Sequence, residues 1–81
     1  MQVRFRLFAS LSERTGTAEG NMELPGDATV RDLWEALCSR FPTLAETGFV
    51  PMAACDMEYA DWDLALEGVD EVAFLPPVSG G

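Results

Sequence analysis

Residues 29–42 read TVRDLWEALCSRFP, and the spacing of the apolar residues in that stretch decides the architecture. Val30, Leu33, Trp34, Leu37, Cys38 and Phe41 recur at i, i+3, i+4, i+7, i+8 and i+11, which places them on one stripe of an amphipathic helix. Thr29 has the right chemistry for an N-cap, and Asp32, three residues on, supplies the capping-box acid. Asp32 near the start and Arg40 near the end both suit the helix dipole. Pro42 stops the helix, because the residue before a proline is pushed out of the helical region. Trp34 and Phe41 read as core anchors. A helix with a single apolar stripe needs an apolar surface to lie on, and the rest of the chain supplies it as strands.

Upstream, Gln2 to Ala9 alternates, with Val3, Phe5, Leu7 and Ala9 on one face and Gln2, Arg4, Arg6 and Phe8 on the other. Ala9 to Arg14 reads as a short helical turn ended by Gly16. Glu19 to Leu24 reads as a second strand with Met22 and Leu24 inward, and Pro25-Gly26-Asp27 as a turn. Downstream, Thr43 to Phe49 reads as a loop. Val50 to Asp56 reads as a strand beginning at or just after Pro51. Met57 to Trp62 reads as a hairpin or short strand. Leu64 and Leu66 precede a turn at residues 67–70, and Glu71 to Leu75 forms the last strand, with Val72 and Phe74 on one face. Each strand has one apolar face to hide, so the helix must lie across the sheet. The first two strands pair as a hairpin, and the first and last meet centrally in parallel. The expected fold is α+β: a ubiquitin-like β-grasp roll with a mixed sheet of four to five strands on one long helix. Residues 1–81 are expected to form a single domain, with 77–81 a flexible tail.

Composition removes many functions. The chain has 81 residues, 48% hydrophobic and 23% charged, which suits a globular domain rather than a disordered one. Apolar runs are far shorter than a membrane span needs, and no basic segment leads into an apolar one at the start, so no membrane association and a cytoplasmic address are expected. Fourteen acidic residues face five arginines and no lysine, a net charge of −9, which disfavours nucleic acid as a partner. Two readings of that charge stand side by side: complementarity to a basic protein surface, or solubility. With no histidine there is no imidazole to activate a nucleophile or hold a metal, and with no lysine no Schiff base. Cys38 and Cys55 are too few for a thiolate cluster and read as small buried hydrophobes. Asp56, Glu58, Asp61 and Asp63 invite a calcium reading, but an EF-hand loop needs glycine at its sixth position, and counting from Asp56 that position is Asp61. The run reads as a solvated acidic loop, and no metal is expected.

The end of the chain is more informative: FLPPVSGG at residues 74–81. Gly80 and Gly81 have no side chains, so they can enter a channel too narrow for a Cβ atom. Pro76-Pro77 stiffens the exit from the sheet. Extended, Pro77 to Gly81 reaches about 16 Å at roughly 3.3 Å per residue, enough to thread a partner's active site with the globular body outside.

The final fourteen residues, GVDEVAFLPPVSGG, closely resemble the small, sulfur-carrier subunit of molybdopterin synthase. The opening VRFRLFASLSERTG and the helix start TVRDL at residues 29–33 also fit, so the resemblance runs along the whole chain. It implies that an adenylating enzyme uses ATP to activate the Gly81 carboxylate, and that a sulfurtransferase donor converts it to a thiocarboxylate. The tail then inserts into the large catalytic subunit, within a heterotetramer, and its sulfur passes to a cyclic pterin monophosphate precursor to build the molybdopterin dithiolene. On this reading the chain is the sulfur-donating subunit of a transferase and is not catalytic alone. It holds no permanent cofactor. Gly81 carries the reactive group and Gly80 permits insertion. Phe74, Leu75, Pro76, Pro77, Val78 and Ser79 contact the partner, inside an acidic rim that includes Asp70 and Glu71. Strand alternation puts Val72 and Phe74 on the core side and leaves Leu75 as the exposed contact. Leu75 stands where that family commonly has an aromatic residue, and Cys55 where it often has asparagine. Two other readings share the fold and the Gly-Gly end: a sulfur carrier for thiamine or tRNA thiolation, and a ubiquitin-like protein modifier.

Overall fold

The computed structural model describes residues 1–77. In chain order the elements are β1 (Gln2–Leu7), α1 (Ser10–Thr15), β2 (Glu19–Glu23), α2 (Val30–Arg40), a 3₁₀ turn (Pro42–Glu46), β3 (Met52–Cys55), β4 (Glu58–Ala60) and β5 (Glu71–Leu75). The sheet order is β2-β1-β5-β3-β4. β1 and β5 are the parallel pair, Phe5 beside Val72 and Leu7 beside Phe74, and the other three pairings are antiparallel. This is the α+β, β-grasp arrangement that the order of elements implied, with all five strands in one sheet.

Helix α2 begins where its capping chemistry says it should. The Thr29 hydroxyl accepts from the Asp32 amide at 3.3 Å, and the Asp32 carboxylate accepts from the Thr29 amide at 2.9 Å. The next orphan donors of the first turn are satisfied from outside the helix: the Val30 and Arg31 amides donate to the carbonyls of Leu64 (3.0 Å) and Trp62 (2.9 Å). The segment after β4 is thereby tied to the helix N-terminus. At the other end the Phe41 amide donates to the Leu37 carbonyl at 2.7 Å. Phe41 itself leaves the helical region (φ −126°, ψ 83°), as a residue preceding proline must.

Val30, Leu33 and Leu37 of α2 pack onto the inner sheet face, made by Val3, Phe5, Leu7, Ala53, Cys55, Val72 and Phe74. Leu11, Leu24, Ala28, Leu44 and Leu66 close the ends of this core. Trp34, Cys38 and Phe41, expected as buried members of the stripe, are half-buried at its margin.

Several boundaries differ from the sequence reading. β1 ends at Leu7; Ala9 adopts φ +51° and turns the chain into α1, so it does not share the inner face. Thr43 to Phe49 is not all loop, because Pro42 starts a single 3₁₀ turn that buries Leu44. β3 starts at Met52, leaving Val50 and Pro51 before it, and it ends at Cys55. Asp56 and Met57 both take positive φ, +48° and +73°, the conformation of a tight two-residue hairpin turn. Gly20 lies opposite Phe5, and a Cβ placed there would come within 2.8 Å of the Phe5 ring. Glycine at that point lets the ring fill the space beneath β2.

Candidate docking face and C-terminal tail

β5 is the element that presents the tail, and its alternation splits two functions between its faces. Val72 and Phe74 are fully buried. Phe74 lies against Trp34 (centroids 5.0 Å apart) and Trp62 (6.0 Å). It was placed among the docking residues by resemblance, and it is withdrawn from that set because no part of its side chain reaches the surface. Glu71, Ala73 and Leu75 point outward and are half-buried. With Phe8, Ala54, Met57 and Tyr59 they line a shallow cavity of about 280 Å³ on the face of the sheet away from α2. Met57 and Tyr59 are exposed at 95% and 70%, so two of the large apolar side chains around this cavity stand in solvent. The Phe8 amide donates to the Phe74 carbonyl at 3.1 Å, which fixes the cavity wall to β5. Pro76 is half-buried and Pro77 exposed. Val78, Ser79, Gly80 and Gly81 lie outside the described residues.

The rim of this cavity is not the simple acidic ring that the net charge suggested. Arg4 pairs with Glu19 at 2.9 Å and with Glu71 at 3.3 Å, and Arg6 approaches Glu71 at 3.8 Å. Arg6 also lies over the Phe8 ring, 5.0 Å from its centroid. A carboxylate lining an apolar docking cavity resists the loss of water unless it is paired, and the two guanidiniums supply that pairing. Asp70 stays exposed, and its amide donates to the Asp56 carboxylate at 3.1 Å. The Glu71 amide donates to the same carboxylate at 3.0 Å, so Asp56 pins the start of β5 from across the hairpin. The sequence places Asp56 at the end of a strand and in a solvated acidic loop, with no sign of this contact. Its carboxylate and that of Asp63, paired with Arg31 at 3.1 Å, are already engaged. Among the described residues no group of three or more His, Cys, Asp or Glu side chains stands close enough to hold a metal ion.

Sulfur chemistry on the cysteines is disfavoured. Burial pushes both thiols up, with the Glu35 carboxylate adding to the effect at Cys38 and the Asp56 carboxylate at Cys55. Both are free thiols and both favour the protonated, unreactive form at neutral pH. Among the described residues no helix is long and apolar enough to cross a membrane.

The model of the ThiS family matches residues 5–81, nearly the whole chain. The chain belongs to the ThiS family. Among its relatives, the molybdopterin synthase sulfur carrier subunit of Homo sapiens is 34% identical over 83 residues, covering 99% of this chain and 94% of that protein. The molybdopterin synthase sulfur carrier subunit of Arabidopsis thaliana is 30% identical over 81 residues, covering 100% of this chain and 84% of that protein. The crystal structure of SAMP1 from Haloferax volcanii superposes with a TM-score of 0.87 at 32% identity, covering all of both chains. This ThiS-family chain is therefore similar along its full length both to sulfur carriers and to a protein described as a small archaeal modifier.

Proposed function

We propose that this chain is the sulfur-carrier subunit of a molybdopterin synthase. The observation that carries the reading is the C-terminal sequence GVDEVAFLPPVSGG, leaving a sheet whose outer face holds a ready apolar cavity beside the exit strand. The full-length likeness to molybdopterin synthase sulfur carrier subunits supports it. An oxygen of the Gly81 carboxylate attacks the α-phosphorus of ATP on an adenylating enzyme, releasing pyrophosphate and leaving an acyl-adenylate. Sulfur at the sulfide level, supplied by a sulfurtransferase, attacks the acyl carbon as HS⁻ and displaces AMP, leaving a thiocarboxylate. The large catalytic subunit then receives the tail, the thiocarboxylate sulfur bonds to a carbon of the cyclic pterin monophosphate as a thioester, and water cleaves the acyl carbon–sulfur bond, leaving the sulfur on the pterin and Gly81 as a free carboxylate. This chain contributes the carried sulfur, a slender tail and a docking face around Leu75, Ala73 and Phe8. Acid–base groups come from the partner, in keeping with a chain that has neither histidine nor lysine.

The likeness to SAMP1 favours a second reading, a modifier joined through its terminal carboxyl to a protein amine. Both readings need adenylation, so the acceptor separates them. The test is reconstitution with the large subunit and cyclic pterin monophosphate, following the intact mass of the chain. Replacement of one terminal oxygen by sulfur, then its loss as dithiolene appears, is the expected result. Deleting Gly81 should abolish transfer while leaving the melting curve unchanged, and Gly80→Ala should slow transfer more than it weakens docking. Isopeptide conjugates to protein lysines without pterin sulfuration would select the modifier reading.

A further inference from the structure

A second groove lies on the helix side of the sheet, and the sulfur-carrier reading leaves it without a role. Trp34, Trp62, Phe49 and Val50 wall it over Pro51, Arg31 and Glu35 stand at its rim, and its volume is about 290 Å³. Its position matters first. Met52 is the register partner of Leu75, so Pro51 and Val50 run on past the end of the sheet at which β5 gives way to Pro76 and Pro77. The groove therefore opens at the end from which the tail departs. Reach matters next. From Val78 to Gly81 are four residues, about 13 Å when extended. A protein that draws Gly81 into its own active site must press against this end of the body. The outer cavity borders that end on one side of the sheet, and the groove borders it on the other.

Chemistry then selects the occupant. Val50 is 70% exposed, and the walls are apolar and aromatic. The groove is held open before any partner arrives. The Trp62 carbonyl accepts from the Arg31 amide at 2.9 Å, and the two indoles meet edge to face at 6.2 Å. Little ordering is left for docking to impose. At the rim, Arg31 is paired with Asp63, whereas Glu35 has no ion-pair partner among the described residues, so the rim carries unpaired negative charge. We infer that this groove receives an apolar side chain from the tail-accepting large subunit, flanked there by a lysine or arginine that meets Glu35. The docking footprint thus clasps the sheet end from both faces. This rests on the sulfur-carrier reading and extends it to a second contact.

Trp34 and Trp62 are the only two tryptophans in the chain, and both line the groove, which provides a direct probe. The chain is labelled with fluorinated tryptophan and titrated with the unlabelled large subunit of molybdopterin synthase from the same organism, observed by fluorine NMR. Both resonances should shift at saturation. Val50→Asp should weaken the complex about tenfold or more, the scale of losing an interface anchor, with an unchanged melting temperature, and Glu35→Lys should weaken it further. Silent fluorine resonances at saturation, or Val50→Asp binding like the unsubstituted chain, would overturn the inference while leaving the sulfur-carrier reading in place. Because Phe74 touches both indoles, a shift without any effect of Val50→Asp counts against the groove. Failure of the unsubstituted chain to bind the large subunit at all would overturn the reading itself, and the inference with it.

Discussion

Phe74 and Leu75 are neighbours in β5 with opposite assignments, so truncating each in turn tests the division of the strand. Phe74 is fully buried and packs on two indoles, at 5.0 and 6.0 Å between centroids. Phe74→Ala removes a ring from a closed core and should cost about 3–5 kcal/mol. For a domain of this size each kcal/mol moves the midpoint by roughly 4–8 °C, so the melting temperature should fall by more than about 12 °C. Leu75 sits half-buried on the outer face. Leu75→Ala removes only a partial contact from the folded chain, and the midpoint should move by a few degrees at most. Its effect should appear on docking instead. If a partner covers the exposed remainder of the side chain, the loss is about 1–2 kcal/mol, a five- to thirty-fold weaker complex by rough conversion. The assays are differential scanning calorimetry for stability and titration calorimetry against the large subunit for affinity. A Leu75→Ala chain that melts as low as Phe74→Ala, or a Phe74→Ala chain as stable as the parent, would refute the assignment of faces.

Gly20→Ala should destabilise by about 1–3 kcal/mol in urea unfolding through overpacking, since the new methyl would meet the Phe5 ring at 2.8 Å; unchanged stability would mean the ring can retreat. Thr29→Ala breaks the capping box at α2 and should cost about 0.5–2 kcal/mol, with Thr29→Ser recovering most of it by the same measurement. Met57→Gly relieves a positive φ of +73° on a fully solvated turn residue and should raise stability by about 1 kcal/mol, while weakening docking if Met57 contributes to the outer cavity. Burial and Glu35 raise the Cys38 thiol, so its alkylation by iodoacetamide should lag a free thiol at every pH below the ordinary cysteine value and catch up only above it. For the same reason the stability held by the protonated thiol is complete below the unfolded-state pKa and declines as pH rises past it. Labelling at neutral pH as fast as a model thiol would contradict the direction of the shift.

The periodic elements were legible without coordinates because their signals are local. The stripe from Val30 to Phe41, the Thr29–Asp32 cap and the stop at Pro42 are properties of one helix turn and its neighbours. The alternation in Glu71 to Leu75 follows from the two-residue period of a strand, so burial of Val72 and Phe74 could be expected. The chemistry proposed for the tail rests likewise on residue types and their order alone. What could not be read are the relations that exist only once strands take their places. The cluster of Arg4, Arg6, Glu19 and Glu71 requires β2, β1 and β5 to stand side by side, which brings residues up to 67 positions apart within hydrogen-bond reach. It turns an expected acidic rim into a paired one. Asp56 looked like one more surface acid until the hairpin turn carried its carboxylate to the amides of Asp70 and Glu71. The groove of Trp34, Trp62 and Val50 joins three segments that share no sequence period, and it exists because the first amides of α2 bind carbonyls of the chain after β4. Sequence periodicity sets which face of each element is apolar; sheet order and register, set by the closing of the core, decide which surfaces those elements build together.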